Sequence, residues 1–200
     1  MKIKVLSLKR RLDRRKTFTD FFNKISKLNF EFFDAIDGKD YQLTEEEDKL
    51  FINSDYHLYN VHVNSVKCTA LSHLKLWETC VSENTPILIL EDDITVNIKG
   101  YDFKIPHGFD LFFIGQQYTY PNCYSYYLTP NGAKSLINHA KKNGFHRAVD
   151  WWLHEFHETC KSEMRLDINI GWLGWNAFMN RQDSSDILLE GDNNYKLIKK

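Results

Sequence analysis

"PILILEDDI", residues 86–94, decides the fold. Its aliphatic residues Ile87, Leu88, Ile89 and Leu90 run without polar alternation into Glu91, Asp92 and Asp93. An apolar run of this length and continuity fits a strand buried on both faces. Three adjacent carboxylates repel one another and are costly to remove from water. A buried strand that ends on them ends either at a site or in an acidic turn that caps it. On an extended segment alternate side chains share a side, so Glu91 and Asp93 are expected to point one way and Asp92 the other. Two same-side oxygen ligands suit a hard cation, Mg²⁺ or Mn²⁺, that also holds phosphate.

Outward from this strand the pattern alternates between strands and helices. "KIKVLSL" (2–8) reads as an opening strand, and the helix "DRRKTFTDFFNKISKL" (13–28) follows with Phe18, Phe21, Phe22, Ile25 and Leu28 on one face. "FEFFDAI" (30–36) is a second strand, turned by "DGK" (37–39). Thr44 caps a short acidic helix. "SVKCTALSHLKLWETCV" (65–81) carries a stripe of Val66, Ala70, Leu74, Trp77 and Val81. Beyond the acids, "DLFFIG" (110–115) and "CYSYYL" (123–128) read as strands. "TPNGAKSLINHAKKNG" is a helix with Thr129 as cap, Pro130 in its first position and Gly144 as its stop. A further helix is expected over 150–161; after it the periodicity fades. This order predicts an α/β fold, a mixed, mostly parallel sheet flanked by helices. In such sheets ligands sit beyond the carboxyl ends of strands, where the acids lie.

Composition narrows the function. A chain of 200 residues with 42% hydrophobic residues, 14 Phe, 10 Tyr and 5 Trp can bury one sizeable core, so one domain over 1–200 is expected. A net charge of −1 argues against nucleic acid as partner. Cys68, Cys80, Cys123 and Cys160 form no CxxC pair, so free thiols in a reducing compartment are expected rather than zinc or a disulfide framework. The opening "MKIKVLSLKRR" lacks the apolar core of a secretory signal. No apolar run approaches the ~20 residues that span a bilayer. The expected location is cytoplasmic, with peripheral attachment to a membrane left open.

Other stretches carry chemistry. "KRRLDRR" (9–15) enters a helix, where backbone N–H groups favour phosphate and Arg adds bidentate contacts. The bland alternative is a solvated helix start. His73 sits on the apolar stripe of its helix and suits a core histidine. "DWWLHEFHE" (150–158) puts Asp150, His154 and His157 on one helical stripe, but Glu158 stands where HExxH needs its second His, which argues against a zinc protease. Asp150 also suits a helix cap, and Trp151 and Trp152 suit either a core or a sugar-stacking surface. There is no GxGxxG and no GxxxxGK[ST].

Taken in order, these stretches resemble glycosyltransferase family 25, the lipooligosaccharide and collagen β-galactosyltransferase family. "VLSLKRRLDRR" is similar to the family's strand and NLxxRxxR opening, with Ser7 for the usual Asn. "FFDAIDGK" is similar to its AxDGK turn and "CTALSHLKLWE" to its CALSH helix. "LILEDD", "FDLFFIG", "YYLTPNGAKSLI", "VDWWL" and "QDSSDI" follow in the right order. The chain is short after Trp175, so a reduced acceptor region is expected over 165–200.

The resemblance implies a GT-A-type, Rossmann-like fold, a UDP-sugar donor, a glycan or glycoprotein acceptor, Mn²⁺ (or Mg²⁺) and inversion at the anomeric carbon. Ser7, Leu8, Arg10 and Arg14 would border uridine and diphosphate, Asp37 and Gly38 would close over the base, and Ser72 and His73 would face the nucleotide. Glu91 and Asp93 would hold the metal, Asp92 would contact the nucleotide sugar, and Asp150 would be the general base. Two other readings of the same residues are a UDP-sugar-binding protein with impaired catalysis and a metal-dependent phosphohydrolase. The donor hexose (galactose or glucose favoured), the acceptor and the oligomeric state are left open.

Overall fold

The computed structural model describes residues 1–52, 62–96, 105–114, 124–156, 166–172 and 178–180. Six strands form one sheet: β1 (Lys2–Leu8), β2 (Glu31–Ala35), β3 (Ile87–Glu91), β5 (Leu111–Phe113), β6 (Ser125–Leu128) and β7 (Ile170–Trp172). Their order is β2-β1-β3-β6-β5-β7. β1 pairs in parallel with both β2 and β3, and β5 pairs in parallel with β7. β6 is antiparallel to β3 and β5 and is the reversed member of the sheet. Its architecture is therefore the expected mixed, mostly parallel sheet. A second, two-stranded sheet joins β4 (Ile94–Val96) to β8 (Phe178–Asn180), and its register sets Ile94 opposite Asn180.

β3 behaves as its sequence demands: Ile87, Leu88, Ile89 and Leu90 are all fully buried. Alternation divides them between two cores. Leu88 and Leu90 pack with Ile3, Val5 and the α1 (Leu12–Ile25) residues Phe18 and Phe22. Ile87 and Ile89 pack on the other face against α3 (Val63–Ser82), α4 (Pro130–Asn143) and α5 (Val149–His154) through Leu71, Trp77, Leu136 and Trp152. Helices therefore cover both faces. The chain leaves β1 toward β2 on one side and reaches β3 on the other, so the strand order reverses around β1, the place where open α/β sheets form a ligand crevice.

Local signals act where expected. Thr44 and Glu47 form a reciprocal capping box on α2 (Glu45–Asp48). Thr129 Oγ1 accepts the Gly132 N–H at 3.1 Å, and α4 stops at Gly144 with φ +70°. α5 ends at His154, short of the predicted 161; its His157 and Glu158 lie outside the described residues. Its N-cap is Ala148, so Asp150 lies within the first turn and is not the cap. β7 and β8 carry no sequence signal because each is three residues long. Gly171 fits β7 because a Cβ there would stand 2.5 Å from the Phe109 ring. Cys68 and Cys80 are buried free thiols, pushed up by burial to about 11 and about 12, while Cys123 and Cys160 lie outside the described residues. Among the described residues no helix is long and apolar enough to cross a membrane.

Candidate active site

The carboxyl ends of β1, β2 and β3 lie side by side, because register pairs Leu6 with Glu91 and Leu8 with Ala35. Ser7, Leu8, Asp37, Gly38 and the three acids are therefore neighbours at one edge of the sheet. Leu8, Asp37, Gly38, Ser72 and Thr69 help to line a cleft there of about 70 Å³.

The three carboxylates part company. Glu91 continues the α3-facing side of β3, and its Oε1 lies 3.5 Å from His73 Nε2. Asp92 continues the α1-facing side. Its Oδ2 accepts from Ser7 Oγ at 2.6 Å and its Oδ1 from Arg14 Nη1 at 3.2 Å. Asp93 does not rejoin Glu91 as strict alternation predicts: its Oδ2 accepts from the same Arg14 Nη1 at 3.3 Å. The reason is that the strand ends at Glu91 and the chain turns at Asp92 and Asp93 before β4. Asp92 is 5% exposed, and burial raises its pKa against the opposing pull of Ser7 and Arg14.

Arg14 is itself buried at 8% exposure and faces the acids rather than open crevice. Arg10, nearer the surface, pairs through Nε with Asp37 Oδ2, which ties the end of β1 to the DGK turn. Arg15 Nη2 donates to the Ser7 carbonyl at 3.0 Å and its Nε to Ser7 Oγ at 3.2 Å, a contact the sequence did not single out. Ser72, expected to face a nucleotide, is fully buried. Its Oγ accepts the Ile36 N–H at 2.9 Å and donates to the Cys68 carbonyl at 2.6 Å. It therefore fixes the exit of β2 against α3. His73 is also 0% exposed and reaches the crevice through Glu91 rather than directly.

Gly38 is required by close approach: a Cβ there would stand 2.7 Å from Ser65 N and 2.9 Å from its Oγ at the start of α3. Gly38→Ala must push the turn off the helix, and overpacking of this kind costs about 1–3 kcal/mol. A chemical-denaturation midpoint equal to that of the wild type would show that the turn yields freely.

Asp150 sits in the first turn of α5, and its Oδ1 accepts the Trp151 N–H at 2.9 Å. Burial pushes its carboxyl up to about 6; the Trp151 N–H opposes the shift and Glu91 adds to it. Glu91 and Asp150, from β3 and α5, are thus close enough to act on each other's charge. The two tryptophans beside it divide their roles. Trp152 is fully buried and stacks on Trp77 at 5.9 Å, whereas Trp151 is 38% exposed. Among the described residues no three His, Cys, Asp or Glu side chains gather as a metal-holding group. His154, with its pKa lowered by burial, packs edge-on to Trp151 at 6.5 Å.

The family model for glycosyltransferase family 25 (LPS biosynthesis protein) matches residues 1–105, which include β1, the DGK turn, α3 and the acid turn. The chain belongs to glycosyltransferase family 25. It is 33% identical over 96 residues to a protein of Acanthamoeba polyphaga mimivirus named "Putative glycosyltransferase R655". That stretch is 47% of this chain and 29% of the mimivirus protein, so the match spans less than a third of the relative's length. A solved structure, the crystal structure of a glycosyltransferase involved in the glycosylation of the major capsid of PBCV-1, aligns with 86% of this chain and 81% of its own at 15% identity and a TM-score of 0.40.

Proposed function

We infer that this family 25 chain is an inverting glycosyltransferase of GT-A type. It would move a hexose, galactose or glucose favoured, from a UDP-sugar to a hydroxyl of a glycan or protein-linked acceptor. One observation carries the reading. The end of β1, the DGK turn and the acid turn, all inside the stretch that matches the family model, meet at the carboxyl ends of β1, β2 and β3, and Asp150, whose carboxyl is pushed up to about 6 by burial, feels the charge of Glu91. A general base works best when its pKa lies near the operating pH.

In this reading Asp150 takes the proton from the acceptor hydroxyl as its oxygen attacks the anomeric carbon opposite UDP. The C–O bond to UDP breaks and UDP leaves with the electron pair. The role of the base is analogous to that of the general base in inverting glycosidases, with positioning of donor and acceptor supplying much of the rate. Arg10 and Asp37 would border the nucleotide together with Leu8 and Gly38. Arg14 and Ser7 would act on the donor through the orientation of Asp92 and Asp93. The exposed face of Trp151, next to the base, suits the apolar face of an acceptor pyranose.

A hard cation that shares its shell with phosphate would draw on Glu91 and Asp93, although the turn sets Asp93 on the Arg14 side, away from Glu91. Glu91 and Asp93 supply oxygens, and their side chains keep 25% and 15% exposure. When bound, Mn²⁺ or Mg²⁺ would offset the charge of the departing diphosphate. Held by two carboxylates of the described residues and the diphosphate, the ion would bind weakly alone and tightly with UDP.

A thermal-shift panel of UDP-sugars with and without Mn²⁺ tests donor and metal together, because a ligand of the folded state raises the melting temperature by mass action. UDP and Mn²⁺ are expected to stabilise jointly far more than either alone, and Asp93→Ala to remove that synergy while leaving the fold intact. Tight Mn²⁺ binding without UDP, lost in His154→Ala, would instead assign a third protein ligand. Release of sugar phosphate without an acceptor would favour the phosphohydrolase reading.

A further inference from the structure

Behind Glu91 lies a hydrogen-bonded chain that no substrate can touch. His73, Trp77 and Tyr126 are each 0% exposed. Trp77 Nε1–H donates to the Tyr126 hydroxyl at 2.8 Å, and that hydroxyl lies 2.8 Å from His73 Nδ1. The opposite ring nitrogen, Nε2, faces Glu91 Oε1 at 3.5 Å. An indole N–H can only donate, whereas a hydroxyl accepts and has one proton to give. Having accepted from Trp77, the Tyr126 hydroxyl can give its proton to His73 Nδ1. That arrangement leaves the imidazole proton on Nε2, facing the carboxylate. The His73 and Tyr126 rings also stack at 5.8 Å and 26°, which limits rotation of the imidazole.

We propose that Tyr126, braced by Trp77, is a positioning residue: it fixes the Nε2–H tautomer of His73, and that N–H holds the Glu91 carboxylate in place at the crevice. The hydrogen bond made by one ring nitrogen sets the state of the other, and partners one step behind an active group typically change activity by about 10–100-fold. The arrangement follows from the topology. His73 and Trp77 are four residues apart on α3, so they lie on one face. Tyr126, on β6, sits on the sheet face that α3 covers. The effect on turnover rests on the glycosyl-transfer reading, whereas the tautomer can be read without it.

The test is long-range ¹H–¹⁵N correlation NMR on the full chain labelled with ¹⁵N-histidine, with the His73 signals assigned by their loss in His73→Gln. The wild type is expected to show a protonated Nε2 and an unprotonated Nδ1. Tyr126→Phe, which removes one oxygen and keeps the ring, should shift the pattern toward Nδ1–H. In the same variant, transfer from UDP-galactose or UDP-glucose should fall about tenfold, while calorimetric affinity for UDP in the absence of metal stays within about twofold. A proton on Nδ1 in the wild type overturns the proposal, and this result needs no variant to fold. An unchanged tautomer in folded Tyr126→Phe overturns it as well, as does a shifted tautomer with undiminished turnover. A wild type that shows the expected tautomer but transfers no sugar from any UDP-sugar fails the glycosyl-transfer reading and leaves the Tyr126–His73 geometry standing.

Discussion

Replacing Asp150 with Asn is expected to lower turnover by about two to four orders of magnitude and to make the folded protein more stable at pH 8. The two effects share one cause. In the fold the Asp150 carboxyl has its pKa raised from 3.8 to about 6, chiefly because burial penalises the charged form. The folded state therefore holds this proton more tightly than the unfolded chain. Stability from the protonated form is fully present below the unfolded value and is lost as pH rises through about 6. Asn keeps the size and the hydrogen bond to Trp151 N–H but cannot ionise, so it escapes the penalty and cannot accept the acceptor's proton. Melting curves should separate mutant from wild type at pH 8 and bring them together near pH 4. Wild-type turnover should rise with pH through about 6, because the base must be ionised. A mutant that transfers at near-normal rate would move the base elsewhere, with Glu155 or Glu158 next in line. A mutant without any stability gain at pH 8 would show that Asp150 is not strained in its ionised form.

The fold was legible where burial and periodicity agree. β3 announces itself because both of its faces are covered, and α4 because Thr129, Pro130 and Gly144 mark its ends. The direction of β6 could not be read, since "SYYL" has the same composition whichever way it runs. Most of the candidate residues fall at the carboxyl ends of β1, β2 and β3. Their individual contacts were less legible. Ser72 and His73 look like ligand contacts in a motif, yet both are sealed in the core, Ser72 on backbone groups and His73 on Tyr126. Asp93 leaves the side of Glu91 because the turn begins one residue earlier than simple alternation assumes. The pairing of His73 with Tyr126 spans 53 residues, and its one sequence signal is that Tyr126 falls on an α3-facing position of its strand.

Arg14 supports the largest expected effect on stability. It is 8% exposed, and its Nη1 serves both Asp92 and Asp93, of which Asp92 is 5% exposed. Arg14→Met keeps an unbranched stem but leaves the buried carboxylate of Asp92 without its cation. Removing one partner of a buried ion pair costs about 3–5 kcal/mol, because the other charge remains desolvated. Burial already raises the pKa of Asp92 with Arg14 in place, so loss of the cation must raise it further. The folded variant would then hold that proton more tightly than the unfolded chain, and its deficit should shrink as pH falls from 8 to 5. Asp92→Asn added to Arg14→Met should recover much of the loss, since an amide can still accept from Ser7 Oγ and carries no charge. Urea unfolding of the four proteins at both pH values completes the cycle. A single mutant within about 1 kcal/mol of the wild type at pH 8 would mean that water reaches Asp92 and that the pair acts as an exposed one. A full loss that Asp92→Asn does not relieve would place the cost in the packing of the Arg14 stem beneath α1 rather than in charge.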